Sequence, residues 1–203
     1  MADAGRVIAG RARGRRLAPA GPGSRPLADR VKEALFGILE PELPGAAVLD
    51  LLAGSGAGGI EALSRGARTV VFVDRDRAAI QAIEANLRST GLAGPEAVVR
   101  RAEVLAYLRE RARSDGPFDV ALLDPPYDES ALLGSALERL GDDEAGILAA
   151  GARVVAKHFW RDRPPAVVGL LASDRERRFG ETALTFYRAA APGRAGGPPI
   201  EEG

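Results

Sequence analysis

From residue 47 onward the chain alternates short apolar runs with longer stretches of helical periodicity. The runs are AVLDLL (47–52), TVVFVD (69–74), EAVVR (96–100), FDVALLD (118–124) and ARVVAK (152–157). Between them, the stretches up to Arg65 and over 76–89, 103–112 and 130–140 read as helices. Strands and helices in this rhythm predict a parallel sheet covered on both faces. Near-continuous apolar runs suit strands buried on both sides. Upstream, Val31, Ala34, Leu35, Ile38 and Leu39 fall on one helical face, and Pro41 and Pro44 end that helix. Residues 6–18 alternate apolar and basic positions around Gly10 and Gly14, which predicts a short hairpin or an extended arm. After residue 165 the helical period fades. VVGLLAS, RERRFG and ETALTFYRA predict two closing strands, antiparallel at one end of the sheet.

The expected organisation is therefore a basic N-terminal arm or hairpin over 1–24, one α/β domain over 25–190, and a Gly/Pro-rich, disordered tail over 191–203. A length of 203 residues with 46% apolar composition suits a single domain with a real core.

Composition removes several chemistries. Without cysteine there is no disulfide framework, thiolate metal site or cysteine nucleophile, and His158 is the single histidine. No metal ligands are expected. The absence of a leader-like segment or a long apolar run predicts a soluble, cytoplasmic protein with no membrane partner, and nothing demands more than a monomer. The net charge is zero but polarised. Residues 1–32 carry eight basic side chains against two acidic ones. Arg11, Arg13, Arg15 and Arg16 are the densest part of this segment and are candidates for phosphate contacts, the alternative being a solvated arm.

The first strand runs into a glycine loop, from Asp50 through Gly54, Gly56, Gly58 and Gly59. In an open α/β sheet, ligands lie beyond the carboxyl ends of the strands, and glycines let the backbone come close to them. Gly54-x-Gly56-x-x-Gly59, with Asp74 twenty residues after Gly54, also fits a dinucleotide site with a carboxylate on the ribose hydroxyls. Asp50 tilts the choice. A carboxylate there suits the ammonium of S-adenosylmethionine, whereas it would repel a pyrophosphate.

The fourth strand leads directly into Asp124-Pro125-Pro126-Tyr127. Two prolines hold this loop stiff. The exocyclic amine of a nucleic-acid base is a poor nucleophile, because its lone pair is delocalised into the ring. The Asp124 carboxylate and the Pro125 carbonyl are placed to accept its two N–H groups, and Tyr127 to stack on the base. A base held in a duplex or folded RNA has to leave its stack to enter such a pocket.

RPLADRVKEALFGIL (25–39), DLLAGSGAGGIEALSRGA (50–67), VFVDRD (71–76), LLDPPY (122–127) and FGETALTFY (179–187) together resemble the bacterial RsmD-type 16S ribosomal RNA guanine-N2 methyltransferase family. The resemblance implies a Rossmann-like class I methyltransferase fold: a seven-stranded, mostly parallel sheet with helices on both faces and an antiparallel strand near the C-terminal end. It implies S-adenosyl-L-methionine as methyl donor and 16S ribosomal RNA, or the small ribosomal subunit, as partner. It places Asp50, Ala53, Gly54, Ser55 and Gly56 on the methionine side of the donor, Asp74 and Arg75 at the ribose, Glu103 near the adenine amine, and Asp124, Pro125, Pro126 and Tyr127 at the target base. The chain departs from the family pattern at Leu27, Ala28, Leu52 and Gly58, and at Lys157, where a Glu is often found.

Three other readings remain. An adenine-N6 methyltransferase shares the Asp124 loop, but this chain has no spare length for a target-recognition region. A nicotinamide-dependent oxidoreductase shares the glycine loop and lacks a use for the proline loop. A non-enzymatic RNA-binding assembly factor would not need Asp50, Gly54, Gly56 and Asp124 intact.

Overall fold

The computed structural model describes residues 5–21, 28–126 and 129–191. Tyr127 and Leu27 lie outside the described residues, as does the tail from Pro192.

One eight-stranded sheet organises the chain, in the order β3-β2-β1-β4-β5-β8-β7-β6. The strands are β1 (Ala47–Leu51), β2 (Thr69–Asp74), β3 (Ala97–Arg101), β4 (Phe118–Leu123), β5 (Leu148–Phe159), β6 (Val167–Val168), β7 (Leu171–Phe179) and β8 (Thr182–Ala189). β1 through β5 pair in parallel, and β8, β7 and β6 continue the sheet antiparallel. The helices are α1 (Asp29–Leu39), α2 (Ala57–Ser64), α3 (Arg77–Thr90), α4 (Val104–Glu110), α5 (Ala112–Asp115) and α6 (Ser130–Leu140).

The expected seven strands become eight because VVGLLAS does not form one strand. Gly169, with φ +56, turns the chain between β6 and β7. β7 then takes in RERRF, whose arginines lie on exposed positions. β5 is also longer than the apolar run ARVVAK, since it extends to Phe159 against Thr182 of β8.

Strand alternation divides the interior into two cores. Val48, Val70, Phe72, Val120, Leu122 and Val155 face α1, α2, α3 and the N-terminal hairpin. Leu49, Leu51, Val71, Val73, Ala121, Leu123 and Val154 face α4, α5 and α6. The α2 side is tight. A Cβ on Gly59 would stand 2.3 Å from Phe72 Cε1, so only glycine lets α2 lie this close to the sheet.

The N-terminal segment packs onto the first core through Val7, Ala12 and Leu17, which are buried. Its turn is closed by Val7 N–H to Arg15 O (2.9 Å) and Gly14 N–H to Val7 O (2.8 Å). Buried polar side chains hold it in place. Glu61 of α2 accepts from Ile8 N–H (2.7 Å) and Ala9 N–H (3.0 Å), and Ser64 accepts from Ala12 N–H (2.9 Å). α1 presents Lys32 and Phe36 to the interior together with Val31, Leu35 and Leu39. The Lys32 ammonium is accommodated there because it donates to Arg6 O.

Candidate active site

The chain leaves β1 for β2 and β3 on one side and returns through β4 on the other. β1 and β4 therefore flank the point where strand order reverses, the place where open α/β sheets take ligands. The period-2 alternation that sends Val48, Phe72, Leu122 and Val155 to the α2 side carries on two residues further in each strand. It brings Asp50, Asp74, Asp124 and Lys157 to one face at the carboxyl ends of four adjacent strands. All four line a cavity of about 560 Å³. Its walls also include Leu52, Ala53, Gly54, Ser55, Arg75, Pro125 and Pro126. Leu35 of α1 and Ala20–Gly21 of the N-terminal segment complete the lining.

Asp50 is almost completely buried, and its Oδ2 accepts from Gly59 N–H at 2.7 Å. Burial pushes its carboxyl up to about 8; nearby Asp124 and Asp74 add to this, and the Gly59 hydrogen bond opposes it. A Cβ at Gly58 would lie 3.2 Å from Asp50 Oδ1, so glycine there leaves the carboxylate accessible. Leu52 follows with φ +59, a left-handed conformation that a branched side chain rarely adopts. That local strain turns the loop sharply at the cavity wall.

Asp74 anchors the loop from β2. Its Oδ2 accepts from Gly54 N–H and its Oδ1 from Asp76 N–H, both at 2.9 Å. The loop is further fixed by Asn86 of α3, whose Nδ2 donates to Ser55 O (2.9 Å) and to Ala18 O (2.9 Å). Asn86 Oδ1 also accepts from Ala18 N–H (2.7 Å). Thus one buried amide joins the glycine loop to the N-terminal segment that contributes Ala20 and Gly21 to the cavity lining.

Asp124 is partly buried and ion-paired with Lys157. Burial raises its carboxyl above the ordinary carboxylate range, and the Lys157 ammonium opposes that shift. The register Leu123↔Ala156 between β4 and β5, continued by one residue, accounts for the pairing.

The structure thus brings together Asp50, Ala53, Gly54, Ser55, Asp74, Arg75, Asp124, Pro125 and Pro126. Gly56 sits just beneath, as the left-handed residue (φ +77) that starts α2. Glu103 is not among the lining residues. It is largely exposed and faces Arg75 at 3.8 Å, while Arg75 also pairs with Glu129 at 3.0 Å. Arg11, Arg13, Arg15 and Arg16 are exposed on the hairpin, with Arg11 at 3.4 Å from Glu96. His158 is committed to the fold: Nδ1 donates to Phe159 O (2.8 Å) and Nε2 accepts from the Thr185 hydroxyl (2.9 Å). Among the described residues, no group of three or more acidic or histidine side chains is placed to hold a metal ion, and no helix is long and apolar enough to cross a membrane.

The cavity suits a donor of the S-adenosylmethionine type. It is large enough for a nucleoside-sized ligand. Asp50 offers a carboxylate suited to an ammonium, Asp74 a carboxylate suited to ribose hydroxyls, and the glycine loop a close backbone approach.

Sheet order, the reversal at β1 and β4, and the acidic cavity above them define a class I methyltransferase domain. The chain belongs to the family described as conserved hypothetical protein 95, which matches residues 5–188. Ribosomal RNA small subunit methyltransferase D of Escherichia coli (strain K12) is 36% identical over 191 residues, covering 94% of this chain and 92% of that one. The Bacillus subtilis (strain 168) protein YlbH is 41% identical over 184 residues, covering 90% of this chain and 98% of its own. The solved structure of Escherichia coli yhhF superposes with a TM-score of 0.81 at 32% identity, over 94% of this chain and 99% of that one.

Proposed function

We propose that this protein transfers a methyl group from S-adenosylmethionine to the exocyclic N2 amine of a guanine in 16S ribosomal RNA. The observation that carries this reading is the placement of Asp50, Asp74 and Asp124 on one face of adjacent strands around a single cavity. The likeness to ribosomal RNA small subunit methyltransferase D over nearly the full length of both chains supports the ribosomal substrate.

S-adenosylmethionine supplies an electrophilic methyl carbon on a sulfonium. Asp50 takes its ammonium, and Asp74 with the glycine loop takes its ribose. Asp124 and the Pro125 carbonyl each accept one N–H of the target amine, which holds both hydrogens in the ring plane and leaves the nitrogen lone pair directed out of it. Loss of a proton then completes the substitution. A methylated aromatic ammonium is strongly acidic, so the Asp124 carboxylate suffices as acceptor even though Lys157 lowers its basicity.

Asp124→Ala tests this reading. Donor affinity, read by calorimetry, is expected to change less than about threefold, whereas single-turnover transfer falls by roughly a hundredfold or more. Transfer that survives the substitution removes Asp124 from the target pocket.

A further inference from the structure

Lys157 is given no contact with donor or target base in the steps derived above, where it only tempers Asp124, yet it lines the same cavity and is ion-paired with Asp124. We propose that Lys157 and Asp124 form one recognition edge, two acceptors followed by a donor, that selects guanine over adenine. The proposal rests on the base-methylating reading and deepens it.

The chemistry of the two base edges decides the match. Along its Watson–Crick edge guanine presents the N2 amine, the N1–H and the O6 carbonyl: donor, donor, acceptor. Adenine presents the N6 amine and then the bare N1: donor, acceptor. An ionised carboxylate is an acceptor on both oxygens, and an ammonium is a donor only. Asp124 Oδ2, Asp124 Oδ1 and Lys157 Nζ, in that order, therefore complement N2–H, N1–H and O6. Lys157 is paired with Oδ1, which sets the order. Asp124 Oδ1 is buried, so the base reaches it only by opening its cover; each carboxylate oxygen has two lone pairs, so Oδ1 can then accept from Lys157 and from the base together. The Pro125 carbonyl remains for the second N2–H.

A protonated Asp124 would reverse this preference. Its O–H donor beside an acceptor oxygen fits N1 and N6 of adenine. Burial among the apolar walls of Leu122, Val155, Leu184 and Leu35 favours that protonation, and the acidic groups that share the lining are Asp50 on β1, Asp74 on β2, Asp76 and Glu129. Of the lining cations, Arg75 is drawn toward Glu129 and Glu103, and Arg77 belongs to the start of α3. Lys157 is the cation paired with Asp124. Burial does raise the Asp124 carboxyl, and Lys157 is the group that opposes it.

The test uses full-length protein and small subunits that lack the modification, either native or with the mapped target guanine replaced by adenine. Wild type, Lys157→Met and Lys157→Arg are compared in single-turnover transfer between about pH 5.5 and 9, with donor affinity measured on each as the control for folding. With donor held saturating at every pH, wild type is expected to show little loss of guanine transfer toward the acid end. Lys157→Met is expected to lose about tenfold near pH 7, to recover part of it as pH rises, and to narrow the guanine-to-adenine ratio by about tenfold. Lys157→Arg restores the shallow acid limb with lower turnover, because an arginine keeps the charge but not the single-point donor geometry. A Lys157→Met variant that binds donor and keeps both the wild-type pH profile and the wild-type base ratio overturns the proposal. If wild type itself labels neither guanine nor adenine, the base-methylating reading falls and this inference falls with it.

Discussion

Asn86 holds Ala18 by both ends of its side-chain amide, donating to the Ala18 carbonyl at 2.9 Å and accepting from the Ala18 N–H at 2.7 Å. The same NH2 group also donates to Ser55 O, so the N-terminal segment and the glycine loop share one buried anchor. Asn86→Leu removes three hydrogen bonds and leaves the Ala18 N–H, the Ala18 carbonyl and the Ser55 carbonyl without that partner; a polar group left unsatisfied in the interior costs about 1–3 kcal/mol. It is expected to weaken donor binding by tenfold or more, because Ala20–Gly21 then loses its place in the cavity lining. Calorimetric titration, with near-wild-type circular dichroism as the control, reads this directly.

Burial raises the Asp50 carboxyl to about 8, so a ligand charge beside it shifts its proton near neutral pH. A donor ammonium favours its ionised form. Donor binding below about pH 8 is therefore expected to release protons, and affinity to rise with pH until it levels off near that value. Titration at pH 7 in buffers of different ionisation enthalpy measures the release; none would contradict the assignment. The sign for the unliganded fold is opposite. An acid with a raised folded pKa contributes stability that is present below its unfolded value and lost as pH climbs toward 8. Asp50→Asn flattens that decline.

Gly59→Ala tests how tightly α2 lies on the sheet. The added carbon would meet the Phe72 ring, at 2.3 Å from Cε1, and Val70 Cγ1 at 2.7 Å. Overpacking of this kind costs about 1–3 kcal/mol. A fall in Tm of roughly 3–10 °C is expected for a domain of this size. An unchanged Tm would mean that α2 can slide without cost.

Asp74→Ala separates donor binding from chemistry. The side chain accepts from Gly54 N–H and Asp76 N–H, so its loss frees the loop as well as the ribose contact. Donor affinity is expected to drop by roughly 10–100-fold, with transfer at saturating donor much less affected.

Replacing Arg13, Arg15 and Arg16, all exposed on the anchored hairpin, is expected to weaken RNA binding and make it less sensitive to salt. Each lost phosphate contact reduces the slope of log K against log salt by about 0.7–0.9. An unchanged slope would place the hairpin outside the interface.

β1, β2 and β4 were legible because strands buried on both faces carry near-continuous apolar runs; β3, half-buried at the sheet edge, and β5 were legible from the strand–helix rhythm around them. The carboxylates stood out against these runs: Asp74 and Asp124 each close one, and Asp50 interrupts one near its end. β7 was harder to place, because its exposed arginines follow from its position near the sheet edge and from no internal period. The clamp on the N-terminal segment was hidden altogether. Glu61, Ser64 and Asn86 are polar residues on helices, which periodicity assigns to solvent, and the backbone groups they bind, together with Arg65 on Glu61, make their burial tolerable. Lys157 was visible in the sequence only as a departure from a family pattern. Its pairing with Asp124 depends on strand register, which a single sequence does not reveal.

The most direct measurement is transfer of labelled methyl from S-adenosylmethionine to small subunits lacking the modification, followed by nucleoside analysis. Label in N2-methylguanosine, lost in Asp124→Ala, is the predicted result. Label in N6-methyladenosine, or donor binding with no label in the RNA, would contradict the account.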